Sequence, residues 1–145
     1  MNEISGKCPV AFALDVMGDK WSMLILRDMI FRRKSAYGDF LNSHERISTN
    51  ILSNRLSKLE DAGLINKAPA RKDSLRKTYA LTAKGTDMLP TLLEMIAWSA
   101  KHDSYADGTE LVAGAPRNLL ERVQNDRDRL IAELIDTPQN RSVLD

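Results

Sequence analysis

The chain has 145 residues, 43% of them hydrophobic, which suffices for one globular core with an appended helix or two and excludes two full domains. Its longest uninterrupted apolar run, Met23-Leu24-Ile25-Leu26, is far shorter than the roughly 20 residues that span a bilayer, and the polar start MNEISGK lacks a secretory apolar region, so a soluble cytoplasmic protein with no membrane partner is expected. A single cysteine excludes an internal disulfide framework, two isolated histidines offer no recognisable metal site, and the net charge of +1 hides a basic middle in which residues 20–81 hold 13 Lys and Arg against 6 Asp and Glu.

Neither metal nor cofactor is therefore expected, and the basic middle between acidic ends suits a polyanionic partner. In chain order, Cys8-Pro9 predicts a helix start with proline at the first helical position and Val10, Ala11, Ala13, Leu14 and Met17 behind it, ended by Gly18. Asp19 can cap a second helix in which Trp21, Leu24, Ile25, Met29 and Ile30 recur at helical spacing, with Arg32, Arg33 and Lys34 at its exit. Ser35 is expected to open a short third helix through Leu41, with Ala36, Tyr37, Phe40 and Leu41 as its buried stripe, before a polar turn over residues 42–46.

Ser48 caps a fourth helix whose Ile51, Leu52, Leu56, Leu59 and Ala62 form an apolar seam, and Gly63 stands where a left-handed terminating residue is favoured. Leu64-Ile65 and Thr78 to Leu81 are short β-type runs around a polar, basic segment with a turn at Asp73-Ser74, which predicts a hairpin with a charged tip. Thr82 begins one more helical segment to about His102, with Met88, Leu89, Leu92, Leu93 and Ile96 in register and a kink expected at Pro90. Residues 103–115 read as a loop, and Pro116 opens a final helix with Leu119, Leu120, Val123, Leu130, Ile131, Leu134 and Ile135 on its apolar side.

The order is therefore mainly α with a small β-hairpin (α+β), and three compact helices followed by a two-stranded wing is the winged helix-turn-helix plan. Residues 1–102 are assigned to a winged helix-turn-helix domain with flanking dimerisation helices, and 103–145 to a C-terminal helical extension. The fourth helix explains the choice of plan. Opposite its aliphatic seam lie Thr49, Asn50, Ser53, Asn54 and Ser57, short hydroxyl and amide side chains that are mediocre helix formers and unusual for a merely wet face. Such groups suit a helix pressed into the DNA major groove, where Asn can pair with adenine through N6 and N7 and Ser or Thr can meet base edges or phosphate.

Lys58 at the edge of this arc could reach a phosphate, whereas Arg55 points into the apolar sector and should bring its head to a protein carboxylate or to the DNA backbone from the side. Lys34, Ser35, Lys67, Arg71, Lys72, Arg76 and Lys77 are the candidate wing and backbone contacts, cations and a hydroxyl that grip strands without reading them. A charged hairpin tip can also be a mere solvated edge. No glycine-rich phosphate loop, nucleophile elbow or paired catalytic carboxylate motif is present, so no enzyme is expected.

CPVAFALDVMGDKWSMLILRDMIF, ISTNILSNRLSKLEDAGLI, YALTAKG and LPTLLEMIAWS together resemble the HxlR family of bacterial transcriptional regulators over residues 7–102. The resemblance implies a winged-helix homodimer on roughly palindromic operator DNA, with Ser48 to Ala62 as recognition helix and Arg71 to Lys77 as wing tip. Twofold symmetry would place two such helices ~34 Å apart, one turn of DNA. Val10 and Leu14 against Leu92, Ile96 and Trp98 are the candidate dimer seam, although the same stripe could complete the core of one chain.

Cys8, beside Lys7 and at a helix start, is the candidate redox sensor, because helix-terminal charge and an ammonium favour thiolate; a buried, inert thiol is the competing reading. The resemblance adds that some family members sense oxidants or aldehydes through such a cysteine, so a small-molecule or oxidant effector joins double-stranded DNA and a second copy as expected partners. The function expected is a sequence-specific homodimeric DNA-binding regulator, responsive to redox state or electrophiles; a winged-helix protein-interaction module without base readout is the alternative.

Overall fold

The computed structural model describes residues 8–69, 77–102 and 119–136. Its elements run α1 (Pro9–Met17), α2 (Lys20–Ile30), α3 (Tyr37–Leu41), α4 (Thr49–Asp61), β1 (Ile65–Pro69), β2 (Lys77–Leu81), α5 (Ala83–Thr86), α6 (Leu89–His102), α7 (Leu119–Asn125) and α8 (Arg127–Ile135). Local chemistry sets most of these boundaries. Asp19 accepts from the Ser22 amide at 2.9 Å, Ser48 from Ile51 at 3.3 Å and Thr82 from Gly85 at 3.1 Å, so each side chain satisfies an amide that the following helix leaves unpaired. Gly63 ends α4 at φ +81°, a conformation that costs glycine nothing.

β1 and β2 pair antiparallel from Ile65 opposite Leu81 to Pro69 opposite Lys77, forming the wing. Its base is sealed by Gly85, where a Cβ would lie 2.1 Å from the Leu64 carbonyl oxygen, so only glycine lets α5 approach this closely. One hydrophobic cluster joins α2 (Ile25, Leu26, Met29, Ile30), α4 (Leu52, Leu56, Leu59), the hairpin (Ile65, Leu81) and α6 (Leu89, Leu93). Each leucine wholly withdrawn from water contributes about 1.5 to 3 kcal/mol to this core. Leu119, Val123 and Leu130 belong to the same cluster, so within the described part of the extension the apolar side of α7 and α8 is covered by the chain itself.

Three expectations about boundaries change. The segment from Thr82 to His102 is two helices rather than one kinked helix, because Pro90 has no amide to donate and its ring would crowd the carbonyl four residues back. At the second position of α6 the same missing amide is harmless. The final apolar helix also divides, at Asp126, whose backbone leaves helical geometry at φ −144° and ψ 38°; Arg122 then reaches both Asp126 and Glu133, tying α7 to α8. Finally, α3 starts at Tyr37 with Ala36 as its cap residue and Asp39 accepting from the Ala36 amide at 3.1 Å, because Ser35 is used elsewhere. Its carbonyl accepts from the Tyr79 amide at 2.7 Å, and Ala36 bridges Thr78, so the chain before α3 adds an edge to the wing.

Candidate nucleic-acid interface

Leu52, Leu56 and Leu59 are at most 1% exposed, and this burial fixes the rotation of α4. Thr49, Asn50, Ser53, Asn54, Ser57 and Lys58 are consequently all exposed on the outer side. Tyr37 supports that side from α3: its hydroxyl donates to the Thr49 carbonyl and exchanges a hydrogen bond with the Ser53 hydroxyl, both at 3.1 Å. Tyr37 stands on the sequence only as a member of the buried stripe, and its second role depends on how α3 crosses α4.

Arg55 meets a protein carboxylate, one of the two partners expected for it. Its Nε donates to Asp19 Oδ1 at 2.8 Å and its Nη1 to Asn54 Oδ1 at 2.6 Å. Lys58 Nζ lies 3.6 Å from Asp19 Oδ2, so this cation is partly committed within the protein. Burial alone would raise the Asp19 carboxyl, but hydrogen bonds from the Ser22 hydroxyl and amide and from Arg55 outweigh it and hold the pKa at about 2.

The backbone-contact candidates are not equivalent. Lys34, expected to face the DNA backbone, turns inward, with Nζ 2.8 Å from Ser43 Oγ and 3.6 Å from Asp28. The cause is Asp28, which is only 2% exposed and draws Arg27, Arg32, Lys34 and the Ser43 hydroxyl around it. Arg27 extends this cluster to the turn before α4, where Nη1 and Nη2 reach the two Glu45 oxygens at 2.5 and 3.0 Å. The Arg27 hydrogen bond holds the Glu45 carboxyl down at about 2. Ser35 is half-buried and its carbonyl serves the wing. Lys67 and Lys77 are exposed on β1 and β2, whereas Arg71, Lys72 and Arg76 lie outside the described residues. Arg33, read on the sequence within the cationic exit of the second helix, and Arg46, read there only as the end of a polar turn, are exposed cations with positive φ, 55° and 57°, at the turns flanking α3. The run Arg32-Arg33-Lys34 signals the first, whereas Arg46 stands beside Glu45 in no cationic run.

The expected dimer seam divides. Leu92 and Ile96 are 6% and 7% exposed and belong to the core cluster of one chain. They also line an apolar pocket of about 160 Å³ with Met23, Leu24, Phe31 and Met95. Val10, Leu14 and Trp98 are exposed, joined by Phe12 and Met95, which sequence reading had not singled out. Cys8 is exposed at the start of α1, against the alternative of a buried thiol.

A capped helix with an outward hydrogen-bonding face, held by two preceding helices and followed by a hairpin, defines a winged helix-turn-helix protein. The model of the HxlR-like helix-turn-helix family matches residues 16–107. The chain belongs to that family. An HTH-type transcriptional regulator of Synechocystis is 35% identical over 88 residues, 61% of this chain and 64% of that protein, so the chain spans under two thirds of that relative's length. YdeP of Bacillus subtilis, also an HTH-type transcriptional regulator, is 29% identical over 71% of this chain and 80% of its own. Among solved structures, the redox regulator HypR in its oxidised form is similar with a TM-score of 0.57 and 30% identity, covering 65% of this chain and 96% of that one.

Proposed function

We propose that this chain is a homodimeric, sequence-specific DNA-binding regulator of transcription that acts on a roughly palindromic operator. The observation that carries the reading is the division of α4, with Leu52, Leu56 and Leu59 sealed in the core and Thr49, Asn50, Ser53, Asn54 and Ser57 facing outward. Uncharged groups of this kind can enter a groove without repelling its edges, while cations beside them supply affinity that falls steeply with salt. Exposed Val10, Phe12 and Leu14 on α1 and Met95 and Trp98 on α6 support a second copy as partner, since isolated modules make few base contacts.

Binding of a labelled duplex library is expected to weaken steeply as salt rises from 50 to 200 mM, with log affinity linear in log salt. Absence of duplex binding at the low-salt end sinks the reading. Exposed Cys8 supports a redox-responsive form, as does the likeness to a protein described as a redox regulator. Diamide would take two electrons and two protons from two thiols, one from each subunit, leaving a disulfide and the reduced hydrazine. Cys8→Ser is expected to bind DNA normally under reducing conditions and to lose the diamide response; a retained response removes Cys8 from the mechanism.

A further inference from the structure

Arg55 does more than meet a carboxylate: it uses Asp19 as an anchor and occupies one arm of an outward-facing amide on α4. The guanidinium has only donors, so the arm of Asn54 that faces it can only be the carbonyl, at 2.6 Å. Asp19 is itself fixed, because its Oδ1 accepts the Ser22 amide at 2.9 Å and its Oδ2 the Ser22 hydroxyl at 2.6 Å while capping α2. The chain of bonds therefore runs from the start of α2, through Arg55, to the amide of Asn54.

An asparagine reads adenine by accepting from N6 and donating to N7 at once, which uses both arms of the amide. Oδ1 keeps a second lone pair, but the charged donor turns the carbonyl toward Arg55, and what Asn54 offers away from it is its two Nδ2 hydrogens. The major-groove edge that presents two acceptors side by side is that of guanine, at O6 and N7. Asn50, one turn earlier and exposed, makes no side-chain hydrogen bond among the described residues and keeps both arms. We infer that Arg55, anchored by Asp19, is a positioning residue that holds the Asn54 carbonyl and presents the Nδ2 donors of Asn54 to select guanine, while Asn50 retains the adenine pattern. This rests on the DNA-binding reading above.

The test is selection of bound duplexes from a randomised library by the full-length wild type, Asn54→Ala, Asn50→Ala, Arg55→Met and Asp19→Asn, each checked for folding by circular dichroism. The base pair whose preference disappears in Asn54→Ala is the one read by Asn54, and guanine is expected there in the wild type. Arg55→Met keeps the packed stem and removes the donor, so the guanine-to-adenine ratio at that position should fall about tenfold, within the range for one bidentate base contact. Asp19→Asn keeps a competent cap and should shift the ratio the same way by less. Adenine at that position in the wild type, an unchanged ratio in folded Arg55→Met, or no lost position in Asn54→Ala overturns the inference and leaves the regulator reading intact. Failure of the wild type to enrich any sequence overturns both.

Discussion

Helix α2 buries Ser22, Ile25, Leu26, Arg27, Asp28, Met29 and Ile30, whereas α1, its neighbour in sequence and richer in apolar residues for its length, buries none. Val10, Phe12 and Leu14 are 67%, 49% and 59% exposed. The difference shows that apolar content states a need for cover without saying who supplies it. α2 packs against α4 and can hold even an arginine and an aspartate inside, because Arg27 finds Glu45 and Asp28 finds Arg27, Arg32, Lys34 and Ser43. α1 touches the rest of the chain through half-buried Val16 and Met17, and its remaining apolar side is what the proposed dimer would cover.

That contrast can be broken most directly at Asp28. Asp28→Ala leaves Arg27 and its neighbours without their central anion, and about 3 to 5 kcal/mol of stability should be lost, read by urea unfolding. A loss below 1 kcal/mol would mean that the cluster is solvated rather than enclosed. Leu26→Ala empties a wholly buried site on the same helix and should cost about 2 to 5 kcal/mol by the same measurement.

The matching change on α1, Leu14→Glu, should alter protomer stability by no more than about 0.5 kcal/mol at a concentration where the wild type is monomeric. Analytical ultracentrifugation should then find it monomeric at concentrations where the wild type dimerises. Retention of the dimer by Leu14→Glu would remove α1 from the interface. Acid sharpens the comparison further. Asp19 and Glu45, held at about 2 from ordinary values of 3.8 and 4.5, bind fewer protons folded than unfolded. Their contribution is fully present above pH 4.5 and is lost as pH falls toward 2, so the unfolding midpoint should decline through that window. In Glu45→Gln the decline should be shallower; an identical acid profile would show that the Arg27 pair does not couple to folding.

Much of the architecture was legible because it depends on residues a few positions apart. Asp19, Ser48 and Thr82 act as caps within three residues of their partners, and Gly63 ends α4 through its own backbone freedom. The expected kink at Pro90 is instead a break two residues earlier, because a proline disfavours helix on its N-terminal side and the sequence pattern alone does not distinguish the two. Nothing local reveals that α3 opens after Ser35 rather than at it, since the Ser35 carbonyl is claimed by Tyr79, 44 positions later. The inward turn of Lys34 is hidden in the sequence because the demand of Asp28 arises from burial, which a run of three cations does not display.

By itself the order of residues determined the succession of helices and hairpin, the aliphatic seam of α4 and the small polar set opposite it, since periodicity and caps act over one or two turns. The tertiary structure decided which cations remain on the surface, that Leu92 and Ile96 close the core while Val10, Leu14 and Trp98 do not, and that Asn54 turns its carbonyl to Arg55. Those outcomes depend on groups such as Asp19 and Arg55, 36 positions apart along the chain and 2.8 Å apart in space, and that proximity exists only after the helices pack.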